Sequence, residues 1–348
     1  MGAGVEKPSD SIPLARPRVN CRPVLVVRGR KNLTAALGRS ATRAAIAIGN
    51  FDGVHRGHQT LIATARRLAD ASGGEVVALT FDPHPARLLA PSLAPPLIVS
   101  MERRAALLGE AGADIVVVEP FTREFVAIEA DDFAADVLRG DLHAAHVVVG
   151  YDFSFGKGRR GDTTMLEELG ARLGFGVSIV RRVSVHGLTC SSTKVREFAL
   201  EGRVEGAEVL LGRPFELTGV VTKGAGRGRG IGFPTANLIP DADLIPKAGI
   251  YAARARILDD ASDSDAESES EGRNSWACAL SIGTNPTFVR GGALTVEAYL
   301  LDFEGDLYGR RVRVEFVQRL RDELRFDSVE ALVAQIQVDV AKTRELVP

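Results

Sequence analysis

The sequence predicts two different folds in one chain: an α/β domain built on a doubly wound parallel sheet, then an antiparallel β-barrel with a terminal helix. Three observations predict this. From residue 44 to 185, short β-rich runs alternate with helix-patterned stretches. Beyond Arg213-Pro214, strand-like runs follow one another without intervening helices, and the chain closes on one amphipathic helical pattern. A length of 348 residues suffices for two domains that each bury a core.

Residues 1–22 are rich in Pro, Gly and Arg and lack an apolar h-region, so they read as a partly disordered extension and not a secretory signal. Apolar runs at 44–48, 76–81, 115–118, 146–149 and 177–180 alternate with helical patterns at 58–71, 101–110, 130–138 and 164–173. Such alternation implies a parallel sheet covered on both faces, with ligands bound beyond the carboxyl ends of its strands. Residues 191–211 read as further helix and linker, which places the domains at 23–203 and 214–348 with a linker at 204–213. In the second domain, runs at 215–221, 251–257, 277–282, 295–301 and 312–320 are separated by Gly, Pro and Asn, the pattern of an antiparallel barrel or sandwich. The stretch 259–271 holds seven acidic residues and no basic one. It is too polar to pack and reads, as 259–272, as a solvated loop insertion. In 328–346, Val329, Leu332, Ile336, Val340 and Thr343 share one helical face, Ser328 can cap the helix, and Glu330 suits the dipole of its first turn.

The first chemistry-bearing segment follows the run 44–48: Gly49-Asn50-Phe51-Asp52-Gly53-Val54-His55-Arg56-Gly57-His58. Gly49, Gly53 and Gly57 let the backbone approach a ligand, and a helix start offers free amides and partial positive charge to phosphate. Gly49, Asn50, Phe51, Asp52, Gly53 and Gly57 are therefore candidate ATP contacts. His55 and His58, three residues apart, can both face that phosphate and donate hydrogen bonds as charge builds during attack. The plain alternative is a pair of surface histidines in a turn. Further on, Ser192 and Thr193 can cap a helix and bond phosphate oxygens, and Arg196 can clamp a triphosphate with its planar fork.

GNFDGVHRGH resembles the HxGH motif of the nucleotidylyltransferase superfamily, and in its GxFDGxHxGH form the FMN adenylyltransferase module of bacterial FAD synthetases. The segments TFDPHP (80–85), GYDFSFG (150–156) and SSTKVR (191–196) match that family as well. The resemblance implies a Rossmann-like domain in which an FMN phosphate oxygen attacks the α-phosphorus of ATP and expels pyrophosphate, with no general base from the protein. Asp82, Asp152 and Phe153 are candidate flavin contacts, the two aspartates being equally open to a metal role or to service as turn residues.

The densest glycine segment runs from Lys223 to Gly232 and lacks the P-loop spacing. Lys223, Gly224, Gly226, Gly230 and Gly232 can lie over a triphosphate through amides and charge; a flexible linker or an RGG-like nucleic-acid segment is the alternative. Gly232-Phe233-Pro234-Thr235-Ala236-Asn237 resembles the GFPTAN motif of riboflavin kinases, and the likeness continues through 281–288, 296–303, 306–309 and 320–326. It implies that Thr235 and Asn237 bind nucleotide-bound Mg²⁺, which suits neutral oxygen ligands beside phosphate. It also implies that Glu297 is the general base for the ribityl 5′-hydroxyl. Without the family, Glu297 is an ordinary strand carboxylate. Both resemblances together cover roughly residues 24 to 345 and imply a bifunctional enzyme with ATP, riboflavin and FMN as partners.

Composition narrows the field. With 45% hydrophobic and 25% charged residues and no apolar run of membrane-spanning length, a soluble globular protein without a membrane partner is expected. Cys21, Cys190 and Cys278 form no CxxC pair, so a reducing cytoplasm is expected. An aromatic content of 6% and a net charge of −2 argue against a nucleic-acid partner. A nucleotidylyltransferase with another acceptor is a competing reading, against which the PTAN-bearing domain argues. Oligomeric state is left open, a homo-oligomer included.

Overall fold

Six short apolar strands lie side by side and parallel: β1 (Leu25–Arg28), β2 (Ala44–Ile48), β3 (Val76–Asp82), β4 (Ile115–Pro120), β5 (Ala144–Gly150) and β6 (Gly176–Val180). The computed structural model describes residues 23–38, 43–224, 227–258, 274–284 and 294–348. The extension 1–22 with Cys21, the acidic stretch, Gly226 and residues 285–288 lie outside the described residues. The sheet order is β1-β4-β3-β2-β5-β6. Every residue of β2 is buried, as a central strand covered on both faces requires. Because the chain steps from β2 to β3 and β4 on one side and returns to β5 on the other, the carboxyl end of β2 is the topological switch point. The edge strand β1 was not foreseen; it has four residues and buries only Val27.

Helix α1 (Arg56–Ser72) follows β2 and buries Leu61, Ile62, Ala65 and Ala69 at helical spacing, ending on Gly73 in the left-handed region. Helices α2 (Met101–Glu110) and α3 (Thr163–Leu173) are capped by the side chains of Ser100 and Asp162. The helix expected at 130–138 is a short α-turn, Ala130–Asp132, continuing as a π-helical stretch, Phe133–Asp141. Helix α4 (Ser192–Glu201) is followed by α5 (Val204–Leu211), so the stretch read as helix and linker is helical up to Leu211. Val204, Ala207, Leu210 and Leu211 of α5 are buried, and they pack in one continuous core with Ile62 and Ile98 of the first domain and Phe215 and Tyr251 of the barrel. The segment joins the domains as a wedge because its apolar face has surface to cover on both sides.

The barrel strands are β7 (Phe215–Thr222), β8 (Ala236–Pro240), β9 (Gly249–Leu258), β10 (Ser275–Thr284), β11 (Leu294–Leu300) and β12 (Arg311–Arg321). They close in the order β8-β11-β10-β9-β12-β7, every pair antiparallel. Strand β8 was missed in the sequence: it is short, carries Asn237 and ends on Pro240, so local propensity opposes it, and closure of the barrel supplies its pairing. The first domain's 94–100 loop docks on the barrel, where Leu244 N–H donates to Leu97 O at 2.9 Å and Leu97 N–H to Asp243 at 3.1 Å. Helix α6 (Val329–Leu346) starts at Ser328 as expected, with Ala331 N–H on Ser328 Oγ at 3.1 Å. Thr343 is buried as expected, but the inward face is shifted, since Asp339 is buried with it and Val329 is 56% exposed. Arg321 of β12 rotates the helix, gripping Asp339 through Nε at 3.0 and 3.1 Å and Nη2 at 2.6 Å.

Candidate active sites

The glycine-rich loop after β2 leaves the switch point in an unusual backbone path. Phe51 and Val54, neither of them glycine, hold φ of 51° and 41°. Gly53 between them has φ 80°, and a Cβ there would stand 2.9 Å from Ile98 Cδ1. This path brings His55 to the N-cap of α1, where His58 N–H donates to His55 Nδ1 at 3.3 Å. An accepting Nδ1 puts the His55 proton on Nε2. The two rings stack at 3.6 Å with 16° between planes, and the fully buried Phe51 meets His58 edge-on at 5.2 Å. Burial lowers the His55 imidazole to about 4, with Arg213 and Arg196 adding to the effect. Burial, then His55 and Arg104, holds His58 well below 6.5. Both imidazoles are neutral at neutral pH.

Asp52 is 1% exposed, and its carboxylate turns inward. It accepts from Ile98 N–H at 3.1 and 3.2 Å and pairs with Arg196 Nη2 at 2.5 Å and Arg104 Nη2 at 3.5 Å. Two guanidiniums share one carboxylate, so the cluster keeps a net positive charge. Among the described residues, His58 Nδ1 and Arg104 Nε and Nη1 are buried without a hydrogen-bond partner. Arg196 Nε donates to Pro96 O at 2.7 Å, and Ser192 Oγ to Asp52 O at 2.8 Å. The cap of α4 is Ser191 and not Ser192 or Thr193: Lys194 N–H donates to Ser191 Oγ at 3.2 Å, and Thr193 is exposed on the first turn. Gly49 abuts the Phe51 ring, Gly57 abuts the His55 ring, and the Asn50 carbonyl is held by Thr80 Oγ1 at 3.1 Å.

Beyond the carboxyl ends of β3, β4 and β5 runs a chain of rings. Phe81 contacts Phe121 and Phe125 at 5.6 and 5.7 Å, Phe125 leads to Phe133 at 6.2 Å, and Phe155 stacks on Phe153 at 5.6 Å. Asp82 ends β3 and contributes to the field at Arg104, whereas Asp152 is exposed on the turn after β5. The sequence reading missed Phe121, Phe125 and Arg104. A signal for Arg104 existed: it stands within the apolar stripe Met101, Ala105, Leu108 of α2.

In the barrel, Glu297 of β11 stands between Val296 and Ala298, which point into the core at 2% and 3% exposure. The register sets Glu297 opposite Asn237 of β8 on one side and Ser281 of β10 on the other. Thr235 Oγ1 donates to Glu297 Oε2 at 3.2 Å. Thr235, Asn237 and Glu297 thus converge although Thr235 and Glu297 are 62 residues apart. Gly224, following β7, lies so close that a Cβ would be 1.9 Å from Asn237 Nδ2. Lys223 holds its Nζ 5.9 Å from the Tyr308 ring. Arg227–Gly230 forms one helical turn, and Gly232 beyond it has φ 88°.

Both centres gather groups suited to phosphate charge, one at a helix start in a parallel sheet and one on a barrel wall, which defines a nucleotide-dependent transferase with two centres. Residues 38–194 match the family model for FAD synthetase and residues 211–347 the model for riboflavin kinase. The chain belongs to the bifunctional riboflavin kinase/FMN adenylyltransferase family. It is 38% identical over 322 residues to the protein of that description from Pseudomonas fluorescens, covering 92% of this chain and 97% of that one. It is likewise 38% identical over 301 residues to the Listeria monocytogenes protein of the same description, covering 86% and 91%. Among solved structures, a Streptococcus pneumoniae protein described as a macrolide-efflux protein superposes with a TM-score of 0.77 and 29% identity, covering 93% of this chain and 99% of that one. Among the described residues no helix is long and apolar enough to cross a membrane.

Proposed function

We infer that this chain phosphorylates riboflavin to FMN in its barrel and adenylylates FMN to FAD in its α/β domain, consuming one ATP at each centre. The observation that carries the reading is the convergence of Glu297 of β11 with Asn237 of β8 and with Thr235 just ahead of that strand. At that centre Glu297 takes the proton of the riboflavin 5′-hydroxyl as its oxygen attacks the γ-phosphorus of ATP, and ADP departs. No cluster of three or more His, Cys, Asp or Glu that could hold a metal occurs among the described residues, and the nearby donors are a hydroxyl and an amide oxygen. Such a set fits Mg²⁺ whose remaining ligands are phosphate oxygens and water, with Thr235 and Asn237 as the protein's ligands. Bound there, Mg²⁺ supplies charge neutralisation at the transferring phosphate.

At the other centre an FMN phosphate oxygen attacks the α-phosphorus of ATP and pyrophosphate leaves. His55 Nε2–H and His58 donate to the α-phosphate oxygens as their charge grows, and the surplus positive charge of the Arg104–Asp52–Arg196 cluster stabilises it further. Asp52 orients the arginines in this scheme and does not itself meet phosphate. The ring chain from Phe81 to Phe153 forms an apolar wall for the isoalloxazine, with Asp82 and Asp152 at its rim.

Incubation with riboflavin, ATP and Mg²⁺ is expected to yield FMN first and FAD after it, resolved by chromatography of the flavins, and EDTA is expected to stop both steps. FMN formation at the full rate in EDTA would sink the metal assignment. A second expectation concerns Gly224. Its substitution by alanine forces the Asn237 side chain aside, so riboflavin phosphorylation should fall about tenfold or more while FAD formation from supplied FMN holds. Equal loss in the two assays would instead mark general damage to the fold.

A further inference from the structure

The loop that carries His55 is held from the domain boundary. Gly53 O accepts from Arg213 Nη2 at 3.0 Å, and Val54 O accepts from Gln59 Nε2 at 2.9 Å. The same Gln59 amide donates to Leu211 O, at 2.7 Å. Two consecutive carbonyls of the loop, on either side of the left-handed φ of Val54, are thus tied to residues 211–213, where α5 runs into β7. Arg213 also lies in the field of the barrel. It neighbours Glu216 of β7, which is 5% exposed. Glu216 also binds Arg103 of α2, through Nε at 2.6 Å and Nη2 at 3.2 Å. Burial alone would raise the Glu216 carboxyl, yet Arg103 and Arg213 hold it below the usual carboxylate range.

Among the described residues, Arg213 Nε and Nη1 are buried without hydrogen-bond partners. A guanidinium with two unmet N–H groups is a costly means of filling space. What this one does is grip the Gly53 carbonyl, two residues before His55, from a backbone position two residues ahead of the barrel's first strand, with its charge in the field of Glu216.

We propose that Arg213 is a positioning residue for adenylyl transfer, through which the barrel's first strand fixes the His55–His58 loop in its working conformation. The proposal rests on the assignment of those histidines to the α-phosphate. Arg213 touches the loop backbone and takes no part in substrate contact, so its removal should act on the transition state more than on substrate affinity.

The test compares Arg213→Gln and Arg213→Lys in the full chain, measuring FAD formation over a range of ATP and FMN concentrations and riboflavin phosphorylation in the same preparation. Arg213→Gln is expected to lower kcat for FAD formation between about 10- and 100-fold. The KM values should stay within about twofold, and riboflavin phosphorylation should be unchanged. Arg213→Lys keeps a cation and a donor for Gly53 O and should restore most of the loss. An unchanged kcat, a rise in KM alone, a lysine variant as impaired as the glutamine one, or a glutamine variant that does not fold would each overturn the proposal. Full FAD formation by His58→Ala would sink the underlying site assignment. Loss there, with full kcat in Arg213→Gln, would sink only the present inference.

Discussion

Glu297→Gln is expected to convert supplied FMN to FAD at the parent rate while forming FMN from riboflavin at least about 100-fold more slowly. The amide matches the carboxylate in size and can still accept from Thr235 Oγ1, which now bonds Glu297 Oε2 at 3.2 Å. The flanking core residues Val296 and Ala298 are untouched, so the barrel should melt as the parent does. What the substitution removes is the ability to take a proton. With no base at the 5′-hydroxyl, the attacking oxygen must lose its proton to water, and positioned general bases are worth about 10²- to 10⁴-fold. Flavin chromatography after incubation with riboflavin, or with FMN, reads the two steps separately. A kinase rate within tenfold of the parent would remove Glu297 from the base role, and parallel loss of FAD formation would argue that the two centres are not independent.

How far the sequence carried this reading depended on whether each feature is local. The alternation of period in 44–180, the glycine loop into α1 and the Ser328 cap are written in consecutive residues, and apart from the 130–138 helix the structure has them within a residue or two. Strand β8 is illegible because its pairing comes from β7, across the glycine segment, and from the distant β11, while Asn237 and Pro240 weaken the local signal. Helix α5 falls in a stretch that reads only as helix and linker, because its apolar residues gain meaning when two domains cover them. The inward turn of Asp339 depends on Arg321, a partner that helical periodicity does not contain. Glu297 shows the limit most clearly: its strand position was legible, but its convergence with Thr235 and Asn237 was available only through resemblance until the register was known. The ring chain from Phe81 through Phe125 is in principle visible, since Phe81 lies at the end of β3 and Phe121 and Phe125 follow β4, yet no spacing links them.

At the other centre, His58→Ala, alone and combined with Arg196→Ala, is expected to reverse the pattern: riboflavin accumulates as FMN, and FAD formation falls about 10²- to 10³-fold for the first change. His58 is stacked on His55 and lies within the field of Arg104, so its removal takes away a donor from a site already rich in positive charge. Adding Arg196→Ala leaves Asp52 to Arg104 and the Ile98 N–H and frees the Pro96 carbonyl, so the 94–100 loop loosens as well. The acid dependence follows from the same geometry. Unfolded, the His55 imidazole titrates near 6.5; folded, burial brings it to about 4. The unfolded chain therefore binds the proton first as pH falls, and the stability that neutral His55 contributes is full above 6.5 and drains away between 6.5 and about 4. FAD formation should accordingly show no acid limb from these histidines between pH 6.5 and 8, with any loss they cause setting in below that range, where imidazolium would face Arg104, Arg196 and Arg213. A rate that rises as pH drops through 6.5 would mean that a charged histidine drives the transfer, and the picture of two neutral donors at the α-phosphate would fail.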